Sequence, residues 1–500
     1  PYFSSSQIVW TIIIGTIMIA MALGNLYGGK KADQDPNPDK LYGRILFAAI
    51  WIAAIPVLGK YIILGISGLL IFTVNSNFLV VAGFLACAII FVFPLFLLGT
   101  VTPSLVKYSM ESMDESGRLV GKLNASNTIG SIIGTFVPTF ISIPAVGTSI
   151  TFLIFAGILL ILSLVYFIYT KDNILKVKKI PVAIGLFLIC FILGQQNSFA
   201  FWQSDLRYEG ESVYNYLQVS ENEKQVILST NVLFGVQSVY QKEDGLTGMY
   251  YDYALAAPFM SGVHQKDNSD ILILGNGTGT FASQCKNYFT NVSIEGVEID
   301  EKITMLANRY FEMPKDVKVT TYDGRAYLNA TKKKFDVIMV DAYQDITIPF
   351  QMSTVEFFQL VKDHLTTDGV MIVNMNIRGS QDGNINQYLS DTISSVFSNV
   401  YVADVEGSTN QELFATNQKD CISNLEENIK LEGNVELREM MENVQEKFVR
   451  YQAGDYLMTD DKAPVELLGM KAIDELIKTE VSYYKNIYKE QGLKGLLNCL

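Results

Sequence analysis

The chain has 500 residues, 49% of them hydrophobic, and its formal charge of -13 is unevenly spread: residues 1 to 200 carry 12 Lys/Arg against 7 Asp/Glu, and residues 201 to 500 carry 26 against 44. The acidic second part argues against nucleic acid as a partner, because phosphates need a basic footprint. It suits a small cationic substrate, whose local concentration a negative potential raises, although solubility alone would explain the same charge.

In chain order, Pro1 stands where Met would, and Ser4, Ser5 and Ser6 precede the first apolar stretch without a basic region and cleavage site. We therefore expect a trimmed sequence that an earlier span could precede. Five stretches, residues 8 to 27, 41 to 59, 78 to 100, 126 to 146 and 149 to 169, have about the 20 apolar residues that a helix needs to cross a hydrocarbon core. Residues 61 to 75 and 180 to 194 are apolar but short. So many all-round apolar segments in one block predict a multi-pass α-helical membrane domain over residues 1–200. The basic loops hold Lys30, Lys31 and Lys40, then Lys107, Arg118 and Lys122, then Lys171, Lys176, Lys178 and Lys179. The positive-inside rule puts all three on the cytoplasmic side if residues 61 to 75 do not span, and the second half joins them if residues 180 to 194 do not span either. We expect that arrangement, an integral protein of the cell membrane with its second half cytoplasmic. No predicted span carries a charge deep in its apolar centre, which weakens a pump reading.

From residue 208 the texture changes. "YEGESVYNYLQV", "KQVILST" and "GVQSVYQK" alternate apolar with polar residues, as half-buried antiparallel strands do, and predict a small β module over residues 201–262. Residues 263–500 then alternate strands with helices. Strands are expected at Ile271 to Leu274, "VSIEGVEID", "VKVTTYDG", "FDVIMVDAY" and "GVMIVNMN"; helices are expected to about Phe289 and over residues 301 to 310 and 354 to 365. Near-continuous apolar strands with helical crossovers predict a parallel, Rossmann-like α/β sheet covered on both faces. In such sheets ligands sit at the carboxyl ends of the strands.

The unusual residues collect there. Gly275, Gly277 and Gly279 follow the first strand, Glu298 and Asp300 end the second, Asp323 and Gly324 end the third, and Asp341 ends the fourth. Glycines let the backbone approach a ligand, and an acid about 20 residues after such a turn can accept both ribose hydroxyls. The competing explanation is that each acid caps the helix that follows it. Metal chemistry is not expected. The cysteines Cys87, Cys190, Cys285, Cys421 and Cys499 are scattered, and His264 and His364 are the only histidines, so acid–base work falls to carboxylates or tyrosines.

The order "GNGTG", "VEID", "YDG" and "VDAY", preceded by "GMYYDYALAAP", resembles the aminopropyltransferases, the spermidine synthase family. "DAYQDITIPFQMSTVEFF", "MTDDKAPVELL" and "LLGTVTPSLVK" are similar to its membrane-fused branch, in which several helices precede a synthase-like domain of the methyltransferase type. The resemblance implies that Glu298 binds the ribose, that Asp323 and Gly324 lie beside the adenine, and that Gly275 to Gly279 face the methionine-derived chain. It places Gln237, Tyr250 and Asp252 on the substrate side and makes Asp341 the catalytic carboxylate, with Tyr250, Asp252 and either Tyr343 or Asp345 orienting the second substrate.

Two departures stand out: Thr278 replaces an acid of the family's turn, and the second acid of the Asp-x-x-Asp loop, Asp345, comes one residue late. Four functions therefore stay open. They are aminopropyl transfer from decarboxylated S-adenosylmethionine, a lyase that turns S-adenosylmethionine into methylthioadenosine and homoserine or its lactone, methyl transfer, and a non-catalytic sensor or transporter. The sulfonium compound would be a substrate and no cofactor would be tightly bound. The expected partners are the lipid bilayer and a small cation such as a polyamine, without nucleic acid, and a homodimer is allowed.

Overall fold

The computed structural model describes residues 2, 7–70, 77–110, 116–171, 178–195, 198–232, 236–343, 348–376 and 381–497. The chain divides into two compact units, residues 1–204 with 210–216 and 481–500, and residues 205–209 with 217–480.

In the first unit, Ile8–Gln34, Pro38–Leu70, Phe78–Ser109 and Gly117–Thr170 form helices long and apolar enough to cross a bilayer, and Lys179–Gln195 is a shorter apolar helix. Their surfaces stay apolar: Ile129, Ile132, Ile133 and Phe136 are all more than half exposed. Water would penalise such a face and lipid would not.

Two expected boundaries move. Residues 41 to 59 and the start of the 61 to 75 stretch belong to one helix, Pro38–Leu70, which contains Pro56 and does not turn at Lys60. Its 33 residues rise about 50 Å at 1.5 Å each, beyond the roughly 30 Å of a hydrocarbon core. Lys60 is therefore a charged residue inside an apolar helix, which the division into two segments had hidden. It is buried, its Nζ donates to the Ser198 carbonyl at 2.9 Å and stands 4.6 Å from the centre of the Phe201 ring. The stretches expected at 126 to 146 and 149 to 169 run on as one helical length kinked at Gly147, whose φ is 79°. The kink frees the Thr148 N–H, which donates to Glu211 Oε2 at 2.5 Å, while the Thr148 hydroxyl donates to Oε1 at 2.6 Å.

The second half begins with a four-stranded sheet in the order β1 (Leu206–Glu211), β2 (Tyr216–Glu221), β3 (Gln225–Ser229), β4 (Ser238–Gln241). Alternation along β2 and β3 turns Leu217, Val219, Val226 and Leu228 to one side, where they pack with Ile303, Leu306 and Phe311.

The main sheet has eight strands: β5 (Ser269–Leu274), β6 (Val292–Glu298), β7 (Lys318–Thr321), β8 (Phe335–Val340), β9 (Leu365–Met375), β10 (Asn399–Asp404), β11 (Gln411–Thr416) and β12 (Val449–Arg450). Their order is β12-β10-β11-β9-β8-β5-β6-β7. β7, β6, β5, β8 and β9 run parallel, but β11 pairs antiparallel with both β9 and β10. The sheet is thus mixed rather than parallel throughout. Only residues 405–410 separate β10 from β11, too few for a crossover, so the two strands must return on each other. β5 lies between β6 and β8, so the connections leave its carboxyl end in opposite directions and open a crevice there.

Candidate active site

The crevice is built from five strand ends. β5 runs into Gly275, Gly277 and Gly279, with φ of 86°, 53° and 85°, values that a side chain would strain. A Cβ on Gly275 would lie 2.5 Å from the Asp341 carbonyl oxygen, so the turn and the end of β8 touch backbone to backbone. Glu298 closes β6. Its buried carboxylate accepts the Gly277 N–H at 2.9 Å and the Asp300 N–H at 3.0 Å, and burial pushes its pKa up to about 6. Glu298 therefore caps no helix and faces the glycine turn.

The capping explanation does describe its neighbours. Asp300 accepts from the Lys302 N–H at 3.0 Å and Asp323 from the Ala326 N–H at 2.8 Å, each at the start of the following helix. Gly324 follows Asp323 with Met352 close by, a Cβ there lying 3.2 Å from Met352 Cε. Thr278 is buried and turned toward β4: its N–H points at Ser238 Oγ, 3.4 Å away, and its hydroxyl lies 3.5 Å from that of Thr280. It brings no charge into the crevice.

Beyond β5 the character changes. Asp341, one residue past β8, accepts the Tyr250 hydroxyl at 2.7 Å and the Asn374 side-chain amide at 2.9 Å. Burial raises its pKa to about 7; the two hydrogen bonds oppose the rise and the Glu298 charge adds to it. Burial also pushes the Tyr250 phenol well above its usual range, so it donates as a neutral hydroxyl. Tyr343 donates to the Asn374 carbonyl and accepts the Asn376 N–H at 3.3 Å.

Two other expected residues do not meet Asp341. The Asp252 carboxylate is taken up by the Thr247 N–H at 2.9 Å, the Thr247 hydroxyl at 2.8 Å and the Gly248 N–H at 2.7 Å, which pins the loop ahead of the helix Tyr250–Ala254. Gln237 donates its N–H to the Leu228 carbonyl at 2.9 Å and accepts the Tyr251 hydroxyl at 3.3 Å on its own carbonyl, both main-chain contacts. Asp345 lies outside the described residues.

Two residues of this region escaped the sequence reading. Asn374, near the end of β9, bridges to Asp341, and its place at the carboxyl end of a parallel strand was the available signal. Glu412 is fully buried on β11, a strand the sequence reading left unassigned.

Residues 256–409 match the family model described as spermine/spermidine synthase domain. A Bifidobacterium longum protein named "Probable polyamine aminopropyl transferase" is 50% identical over 357 residues, 67% of this chain and 78% of that one. A Vibrio vulnificus polyamine aminopropyltransferase is 27% identical over 44% of this chain and 74% of its own. Among solved structures, a spermidine synthase from Thermotoga maritima is 20% identical, covering 46% of this chain and 79% of its own with a TM-score of 0.38.

Proposed function

The chain belongs to the spermine/spermidine synthase family of polyamine aminopropyltransferases, and on that premise we propose that it moves the aminopropyl group of decarboxylated S-adenosylmethionine onto a polyamine-type amine and releases methylthioadenosine. The observation that carries this reading is the contact of the Gly275 turn with the Asp341 backbone. It brings the glycine turn and a carboxylate of raised pKa to one point.

In this reading Glu298, already fixed by two backbone N–H groups, accepts the ribose hydroxyls, and Asp323 and Gly324 flank the base. Asp341 holds the incoming ammonium and takes its proton. The freed nitrogen lone pair forms a bond to the carbon beside sulfur, the carbon–sulfur bond breaks, and its electron pair stays on sulfur as a neutral thioether. A neutral leaving group needs no strong acid, so alignment supplies most of the rate. A proton acceptor with a pKa of about 7 is matched to neutral conditions.

Thr278 favours a second reading, because an uncharged side chain turned toward Thr280 would not repel the carboxylate of intact S-adenosylmethionine. That carboxylate could attack the same carbon, giving methylthioadenosine and homoserine lactone without an amine. Product analysis after incubation with each sulfonium compound, with and without amine, tests both. Methylthioadenosine plus an amine adduct supports transfer, methylthioadenosine without amine supports the lyase, and S-adenosylhomocysteine overturns both. We also propose that the apolar helices anchor the chain in the cell membrane with the catalytic unit on the cytoplasmic side. A reporter fused after Leu500 that works only outside the membrane would overturn that orientation.

A further inference from the structure

Among the apolar helices stands a cation that no neighbouring acid answers. Arg44, on the helix Pro38–Leu70, is partly buried and reaches the helix Val101–Ser109, which carries most of "LLGTVTPSLVK". Its Nη2 donates to Ser104 Oγ at 3.3 Å, the one side-chain hydrogen bond it makes among the described residues, and its Nε is buried without a partner. Ser104 is fully buried and gives its own proton to the Thr100 carbonyl at 2.7 Å, so toward Arg44 it only accepts. The titratable groups that face Arg44 are the phenols of Tyr27 and Tyr108. Carboxylates do stand at this end of the helices, but each is taken: Asp33 pairs with Lys107 at 2.9 Å, Asp39 with Lys171 at 2.5 Å, and Asp35 with Lys40.

A guanidinium is always charged and offers five donors. Leaving it without a counter-charge between apolar helices is costly, so something is expected to arrive and satisfy it. Its depth says what that is. The helix is about 50 Å long at 1.5 Å per residue, slightly more than the roughly 40–45 Å of a bilayer with its headgroups. Arg44 comes about 9 Å after Pro38 along the axis, which puts it at the border of headgroups and hydrocarbon, where lipid phosphates lie. Lys31, Lys107, Lys171 and Lys179 stand at the same end and favour a headgroup of net negative charge. We infer that Arg44 is the receptor for the phosphodiester of an anionic membrane phospholipid, whose headgroup lies between the helices Pro38–Leu70 and Val101–Ser109 and whose acyl chains follow the apolar surface. The phosphate oxygens accept from the planar fork of the guanidinium, a geometry that lysine does not reproduce. Ser104, tied to Thr100, steadies the fork, which gives "LLGTVTPSLVK" a task separate from catalysis. This inference rests on the proposed placing of the helices in a membrane.

The test is native mass spectrometry on the full chain, delipidated in a neutral detergent and titrated with dioleoylphosphatidylglycerol, dioleoylphosphatidylcholine, dioleoylglycerol and inorganic phosphate. The parent is expected to retain a single phosphatidylglycerol and to bind it about tenfold or more tighter than the other lipids. Arg44→Gln is expected to erase that preference, while Lys107→Gln, which removes a charge from the same end, lowers it less than about threefold. The headgroup ranking in the parent needs no variant, so it tests the inference even if Arg44→Gln does not fold. Equal binding of the three lipids by a chain that needs detergent, or an unchanged preference in Arg44→Gln, would overturn the inference. Inorganic phosphate that displaces the phosphatidylglycerol at millimolar concentration would give Arg44 to a soluble anion and overturn the lipid assignment. A chain that stays in solution without detergent would instead remove the membrane reading, and the lipid site with it.

Discussion

Glu298, at the end of β6, accepts two backbone N–H bonds before any ligand arrives, whereas Glu412, on β11, is also buried and accepts none among the described residues. Asp341 lies between them in character, held among the described residues by the neutral donors Tyr250 and Asn374. The crevice thus has a settled side, where main-chain donors fix the carboxylate that the proposed function assigns to a nucleoside, and an unsettled side, where buried acids have no counter-charge among the described residues. A fixed acceptor gives tight and geometrically strict binding. An acid without a counter-charge gives selectivity for a cation, because only a cation repays its desolvation.

That contrast can be broken from either side. The largest effect is expected from Asp341→Asn, which keeps size and loses charge: turnover falls roughly 100-fold or more, while methylthioadenosine affinity measured by calorimetry changes less than about twofold, since the proposed function gives that ligand to Glu298 and the glycine turn. Equal losses in both would show that the two sides are one. Glu298→Ala should do the reverse, weakening methylthioadenosine by about 10- to 100-fold, as expected for losing charge-assisted hydrogen bonds, with an unchanged far-ultraviolet spectrum. An unchanged affinity removes the assignment of the β6 end.

The pH dependence sharpens the contrast further. Asp341 must be ionised to hold an ammonium, and burial raises its pKa to about 7, so kcat/KM for the amine should climb about tenfold per unit below that pH and level off above it. A profile flat from pH 5 to about 7.5 in the parent would exclude Asp341 as the titrating group. The smallest effect is expected from Tyr250→Phe. The Tyr250 hydroxyl lowers the Asp341 pKa, so its removal should move the acid limb upward, by roughly half a unit to one unit, with a few-fold lower rate at neutral pH. A downward shift would mean that the phenol stabilises the protonated acid.

The settled side was the more legible of the two from sequence. Glycines at 275, 277 and 279 and an acid ending the next strand form a local pattern, and the helix at 301 to 310 appears at the expected residues. Asp300 and Asp323 were harder to read, because one acid at a strand end serves equally as a helix cap and as a ligand, and here both cap. The unsettled side depends on long-range pairing. Asn374 faces Asp341 only because β8 and β9 are in register, and Glu412 joins them only because β11 returns antiparallel beside β9. No local spacing encodes that row. Asp252 is ambiguous for a related reason: its position before Pro258 suits a substrate ligand, and in the structure its carboxylate accepts from Thr247 and Gly248. Among the apolar helices, Lys60 looked like a boundary because charge usually ends a span, and packing over Phe201 with a bond to Ser198 lets it stay inside.

The contact at Gly275 bears on how the two reactants come to share one place. The Gly275 N–H is held by the Val297 carbonyl at 2.9 Å and the Asp341 N–H by the Leu274 carbonyl at 2.9 Å, so three strands are tied where nucleoside and amine would meet. With no side chain between the turn and Asp341, the spacing of donor and acceptor is set by main chain alone and does not vary with rotamer. A reaction that needs little acid or base help draws its rate from effective concentration, which a rigid wall of backbone maintains and a flexible side chain dissipates. Gly275→Ala, which pushes β8 away, should therefore slow transfer more than it weakens either ligand alone, and ligand affinities that fall as far as the rate would show that this wall only binds.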